Sequence, residues 1–252
     1  MLDLSAIKLF SILLVALVAA AGGYIPFRYK RLSGKTYDSI VGQAFASGIF
    51  LGAGLIHMLS DASQDFSALP INYPLPFLLA GSMFLFLLFL EHITRQMLEH
   101  GQATHAAFSI LSCFILSIHS LLAGAALGLT GSISVTAMLL IAILAHKWAA
   151  SYALATQLNQ SSLKWHQGLL LFTLFVLMTP LGILSGELVT HTLYQRLWLA
   201  PTFNALAAGT FLYMGTLHGL SRSILVKHCC NTRQFGYVVL GFGLMAVVAL
   251  WT

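Results

Sequence analysis

What most constrains this chain is a succession of apolar runs, each of roughly twenty residues and so long enough to cross about 30 Å of hydrocarbon as a helix. They fall near 4–24, 40–60, 75–94, 106–129, 133–157, 168–190, 202–225 and 235–251. Lipid offers the backbone no hydrogen-bond partner, so such runs must satisfy their own amides as helices. Of the 252 residues, 58% are hydrophobic and only 8% are charged, with a mean hydropathy of +0.88, which leaves too little polar surface for a soluble domain of this length. The expected fold is all-α, an eight-span transmembrane helix bundle. No loop is long enough to hold a second domain, so residues 1–252 read as a single transmembrane domain. The run over 9–21 imitates a signal peptide ending in "VAAAGG". Cleavage there would export the basic cluster behind it, and the run is read as a true first span.

The basic residues orient the bundle. Arg28, Lys30, Arg31 and Lys35 follow the first span, Arg95 the third and Lys164 the fifth, and Arg222, Lys227 and Arg233 separate the seventh from the eighth. The positive-inside rule puts those loops in the cytoplasm. The other side has Lys8 and Arg196 with Asp61 and Asp65, so both termini are expected outside, and Glu187, near the outer end of the sixth span, is expected to face solvent. The net charge of +5 thus reflects topology and points to no nucleic-acid partner. Cys229 and Cys230 are adjacent on the cytoplasmic side and Cys113 lies in a span, a pattern without a disulfide framework.

One phrase is written twice. "ASGIFLGAGLIHMLS" over 46–60 and "AAGTFLYMGTLHGLS" over 207–221 share Ala46/Ala207, Gly48/Gly209, Phe50/Phe211, Leu51/Leu212, Gly54/Gly215, His57/His218, Leu59/Leu220 and Ser60/Ser221. In the expected topology the second and seventh spans thread the bilayer in opposite directions, which makes the phrase an inverted repeat. The fourth and fifth spans echo it more faintly: "HSLLAGAAL" from His119 and "HKWAASYAL" from His146 share the histidine, the alanine four residues on and a later Ala-Leu pair. Inverted repeats around a polar midplane site are characteristic of transporters. The glycine pairs Gly48/Gly52, Gly124/Gly128 and Gly182/Gly186 have a plainer role, the close packing of membrane helices.

Polar side chains deep in a bilayer cost several kcal/mol and normally face the bundle interior or a water-filled path. His119 and His146 lie mid-span, and their neutral imidazoles suit borderline ions such as Zn²⁺. Ser120 and Lys147 follow them directly. His57 and Asp61, four apart at the outer end of the second span, can collect a cation at the mouth; His218, at the inner end of the seventh, stands where an ion would leave. "EHITRQMLEHGQATH" reads as a polar loop with weak metal capture at most. No general base stands beside the central histidines, and the chain reads as a non-enzyme.

At these residues the sequence resembles the ZIP (Zrt/Irt-like) family of divalent-metal transporters over essentially its whole length. "ASGIFLGAGLIHMLSDA" looks like the family's second span, "HSLLAGAALGL" its fourth, "HKWAASYAL" its fifth, "TPLGILSG" its sixth and "AAGTFLYMGTL" its seventh. The resemblance implies an eight-helix bundle with both termini outside, a metal path enclosed by the second, fourth, fifth and seventh spans, and uptake of Zn²⁺ or Fe²⁺ toward the cytoplasm. The family's fourth-span pattern is matched by His119, Ser120 and Gly124 but has Ala123 in place of the acid. In the fifth span His146 and Lys147 match and Ala150 replaces the acid. His218 stands where the seventh span commonly has Glu, and Thr179 precedes Pro180 where some members carry an acid. The bridging carboxylates of the family's binuclear site are therefore missing, which makes this a divergent member.

The metal residues read from sequence are thus His119, His146, His57, Asp61, His218 and Ser120. The expected function is divalent-metal transport, with Zn²⁺ or another divalent ion as cargo and no bound cofactor, in a cell (inner) membrane. The partners are that ion and lipid, and the bundle could pair as a homodimer. The alternative is a ZIP-fold protein that has lost transport and serves as a metal sensor or partner subunit.

Overall fold

The computed structural model describes residues 4–33, 40–70, 72–101, 106–193, 198–216 and 232–251, with backbone alone along 190–193. Among these residues the secondary structure is helical, with no strand. The helices are α1 (Leu4–Ser33), α2 (Ile40–Ser67), α3 (Leu75–Glu99), α4 (Ala106–Gly128), α5 (Ile133–Gln160), α6 (Trp165–Leu193), α7 (Leu199–Tyr213) and α8 (Thr232–Val248). Six of them, α1 to α6, are long and apolar enough to cross a membrane. Over the described residues α7 and α8 are shorter, at 15 and 17 residues.

Several helices outrun the apolar runs that announced them. The α1 helix continues past residue 24 through Arg28, Lys30 and Arg31 to Ser33, and α2 past residue 60 through Asp61 and Asp65 to Ser67. Hydropathy marks where lipid ends, whereas a helix ends where its hydrogen bonds do. Cations in the last turn of α1 also suit the negative end of the helix dipole. Lys30 Nζ donates to the Asn159 carbonyl at 2.8 Å, and Asn159 Nδ2 to the Pro26 carbonyl at 2.9 Å, so the basic end of α1 is tied to α5. The start of α5 is capped by Ser132, whose hydroxyl accepts the Val135 amide at 3.3 Å.

The helices fall into two packed groups. In the first, α1 lies along α5 and α4 along α6; in the second, α2 lies along α8 and α3 along α7. Exchanging α1 with α6, α2 with α7, α3 with α8 and α4 with α5 maps each of these pairs onto another, and it maps the main contact between the groups, α4 on α7, onto α2 on α5. The exchange reaches individual residues. A Cβ on Gly54 would lie 3.3 Å from the Ala208 carbonyl and 3.4 Å from Leu212; one on Gly215 would lie 3.1 Å from the Ser47 carbonyl and 2.9 Å from Leu51. Ser47 and Ala208, and Leu51 and Leu212, are equivalents in the repeated phrase. Rising numbers in α2 meet falling numbers in α7, so the two copies cross antiparallel.

A seam of four glycines joins α4 to α6. A Cβ on Gly124 would meet the Thr179 carbonyl at 2.4 Å, and one on Gly182 the Leu121 carbonyl at 2.3 Å; Gly128 and Gly186 repeat the arrangement one turn on. Main chain touches main chain there, the arrangement that small residues permit between membrane helices.

Candidate metal site

The His119 side chain projects from α4 toward α7, where Nδ1 lies 2.7 Å from Thr210 Oγ1 and 3.2 Å from the Ala207 carbonyl. A carbonyl only accepts, and the Thr210 hydroxyl already donates to that same carbonyl at 2.6 Å. The proton of His119 therefore sits on Nδ1 and the lone pair on Nε2. That Nε2 is buried and has no hydrogen-bond partner. Such an imidazole, held by one nitrogen and bare at the other, is the form that ligates metal.

His146 comes in from α5, with its Nδ1 also buried and outside in-line hydrogen-bond geometry, the Ala142 carbonyl one turn back being the acceptor beside it. The two rings are 5.8 Å apart between centroids, at 75°. Imidazoles that share one ion through bonds of about 2.0–2.1 Å have centroids roughly 5–6.5 Å apart, so the spacing fits a common ion. Phe211 of α7 packs against both from one side, stacked on the face of His119 at 3.6 Å and perpendicular to His146 at 5.0 Å.

The remaining sequence candidates are distributed around this pair. His57 is buried on α2 within a π-helical stretch, Ala53–Met58, and within electrostatic reach of His146. Its Nδ1 is 2.9 Å from Asp61 Oδ2, at an angle that is not that of an in-line hydrogen bond. Ser120 is engaged by Lys147, whose Nζ donates to Ser120 Oγ at 2.9 Å and to Thr179 Oγ1 at 2.8 Å while lying 4.1 Å from the Phe175 ring centroid. His218 lies outside the described residues. Among those described, no three His, Cys, Asp or Glu side chains gather closely enough to hold an ion together. Ala123 and Ala150 are both buried.

Sequence reasoning missed several members of this neighbourhood. Thr210 and Phe211 stood in the repeated phrase yet carried no obvious chemistry, because their roles depend on how α7 is rotated against α4. Glu91 was read as part of a polar loop. It is instead buried on α3, where it accepts Arg95 Nε at 3.0 Å and the Tyr213 hydroxyl from α7. A carboxylate one turn before an arginine at the end of an apolar run was the available signal. Glu187, expected to face solvent, pairs with the buried Lys8 of α1, which also donates to the Gly128 carbonyl at 2.7 Å. Lys8 is buried, and the acid offsets the cost of its charge there.

The ZIP Zinc transporter family model matches residues 5–113 and 101–249. The chain belongs to the ZIP family. It is 27% identical over 259 residues to Zinc transporter ZIP2 of Mus musculus, covering 82% of this chain and 83% of that one. It is 27% identical over 282 residues to Zinc transporter ZIP1 of Danio rerio, with 90% and 91% covered, and 24% identical over 298 residues to Zinc transporter 1 of Oryza sativa subsp. japonica, with 98% and 84% covered. This ZIP chain is thus an integral membrane protein of a metal-transporting family, not an enzyme. Its apolar helices agree with that placement.

Proposed function

We propose that this ZIP protein carries a divalent ion, Zn²⁺ or Fe²⁺, toward the cytoplasm through a midplane site at His119 and His146. The observation that carries the reading is the bare, buried Nε2 of His119, on a ring 5.8 Å from that of the buried His146. Buried polar atoms are otherwise nearly always satisfied, and an arriving cation would satisfy this one. Zinc relatives over most of the chain's length supply the ion class.

In this reading the whole chain is one eight-span unit with both termini outside, in the cell (inner) membrane and able to pair as a homodimer. His57 and Asp61 form the outer vestibule, and His218 stands at the exit. Ser120 serves the site through Lys147, as one of the two hydroxyls that hold the ammonium. Water completes the coordination sphere where Ala123 and Ala150 offer no carboxylate, at the cost of weaker compensation of a buried dication. No resident cofactor is required.

Flux into proteoliposomes, measured in turn for Zn²⁺, Fe²⁺ and Mn²⁺ on wild type and on His119→Ala and His146→Ala, tests it. Saturable uptake that both substitutions abolish is expected. Wild-type protein that binds Zn²⁺ and moves none would instead make the chain a sensor or partner subunit.

A further inference from the structure

Glu91 is a buried carboxylate for which the metal path has no use. A charge so placed is kept only with partners, and those of Glu91 reach two other helices. Tyr213 of α7 is fully buried, donates its hydroxyl to Glu91 Oε2 and sets its ring edge-on to Phe84 of α3 at 6.2 Å. Arg95 donates through Nε to Glu91 Oε1 at 3.0 Å, and its guanidinium lies over the Phe108 ring of α4, 5.5 Å from the centroid.

The helices reached in this way, α7 and α4, are the two that meet at His119. Thr210, three residues before Tyr213, stands 2.7 Å from His119 Nδ1. Phe108 precedes His119 by eleven residues, which is about three full turns and so nearly the same face of α4. The α7 helix also touches α3 at Gly209, where a Cβ would lie 2.3 Å from the Ala80 carbonyl. Gly209 and Tyr213 are four apart and share one face. The glycine sets how closely α7 approaches α3 but makes no directional bond to fix its roll. The Tyr213 hydroxyl supplies one. A roll of about 20° carries an atom about 5 Å from a helix axis through about 1.7 Å, enough to take the Thr210 hydroxyl and the Ala207 carbonyl out of hydrogen-bond range of His119 Nδ1 together.

We propose that Glu91 is a positioning residue of the two-histidine site. By holding Tyr213 on α7 and, through Arg95, the Phe108 face of α4, it sets the roll that aims Thr210 and Ala207 at His119. That roll keeps the proton on Nδ1 and the lone pair on Nε2. Glu91 thus acts through its neighbours and contributes no ligand. The role rests on the two-histidine reading for its purpose, whereas the tautomer it sets belongs to the metal-free protein.

The test is nitrogen NMR of the full chain in lipid nanodiscs, with the histidine rings isotope-labelled and no metal present, because the protonated and bare nitrogens of a neutral imidazole resonate far apart. Loss of one signal set in His119→Gln assigns the resonances. Wild type should show His119 protonated at Nδ1. Tyr213→Phe, which removes one oxygen, should show a mixture of tautomers and bind Zn²⁺ about three-fold or more weakly. Glu91→Leu should do the same and serves if Tyr213→Phe does not fold, since apolar replacement of a buried ion pair is commonly tolerated. Glu91→Gln, whose amide still bonds Tyr213, should keep the wild-type spectrum. A bond that only stabilised the bundle would lower the melting temperature and leave the tautomer alone. An unchanged His119 spectrum in folded Tyr213→Phe or Glu91→Leu therefore overturns the role. Tautomers that shift as expected, in a protein whose wild type binds no Zn²⁺, would uphold Glu91 and remove the metal site.

Discussion

His119 Nδ1 on α4 and Thr210 Oγ1 on α7 are 2.7 Å apart, and through this contact the second group of helices dictates which nitrogen of a histidine in the first is free. Thr210→Val keeps the shape and removes the oxygen. Partners of ligating histidines are typically worth about 10–100-fold in metal affinity, and the lower end is expected here because the Ala207 carbonyl still holds the Nδ1 proton. Calorimetry with Zn²⁺ should show the loss in Thr210→Val and recovery in Thr210→Ser. Equal affinity in all three would mean that the tautomer does not depend on Thr210.

Lys147 places a buried ammonium next in sequence to His146, held by two hydroxyls and a phenyl face. A dication entering beside it is repelled in a medium that screens poorly. Lys147→Met should raise Zn²⁺ affinity by about ten-fold, equivalent to about 1.4 kcal/mol. Titration of purified protein decides the matter, and a fall in affinity would show that the ammonium organises the site more than it opposes the ion.

Ala123 and Ala150 each lie one turn beyond a central histidine and are buried. Ala123→Glu with Ala150→Glu places an oxygen and a negative charge on the same helix faces as the imidazoles. The double variant should bind Zn²⁺ more tightly than wild type by at least about ten-fold, because each acid offsets the cost of burying a dication. Combining it with Lys147→Met should add to the gain, since a new carboxylate otherwise spends part of its charge on the ammonium. Affinity unchanged in the folded double variant would count against α4 and α5 meeting around an ion.

The α4 and α6 seam should not tolerate added side chains. Gly182→Leu drives a side chain into the Leu121 carbonyl, and Gly124→Val into that of Thr179. Forced separation of packed elements costs about 1–3 kcal/mol or more, so both should lower the melting temperature and the yield of folded protein in detergent. Gly81→Ala, where a Cβ meets nothing within 4 Å, is the matched control and should melt like wild type. A Gly182→Leu protein as stable as that control would contradict the packing.

The membrane class, six of the long helices and the repeat were all legible because each is written in spacing. Twenty apolar residues announce a span, and a phrase recurring with its histidine at one offset announces reciprocal crossings such as those of Gly54 and Gly215. The helix ends were not legible, since α1 keeps its hydrogen bonds through Arg28 and Lys30 after hydropathy has stopped. Nor were the roles of Thr210, Phe211 and Tyr213. Each acts across a helix interface, and the rotation of α7 that aims them is set by packing summed over the bundle. Ser120 was legible as part of a metal motif, yet its hydroxyl is occupied by Lys147, a pairing that only the approach of α5 to α4 decides.

Between Gly124 and Gly182 no side chain intervenes, and this has a mechanical consequence. Side chains act as springs, because they can change rotamer under load; apposed peptide planes have almost no such compliance. The two helices therefore behave as a single beam. A displacement imposed near Glu187 of α6, which Lys8 engages, should therefore reach His119 with little damping. Any give beside His119 must then lie on the other face of α4, against α7.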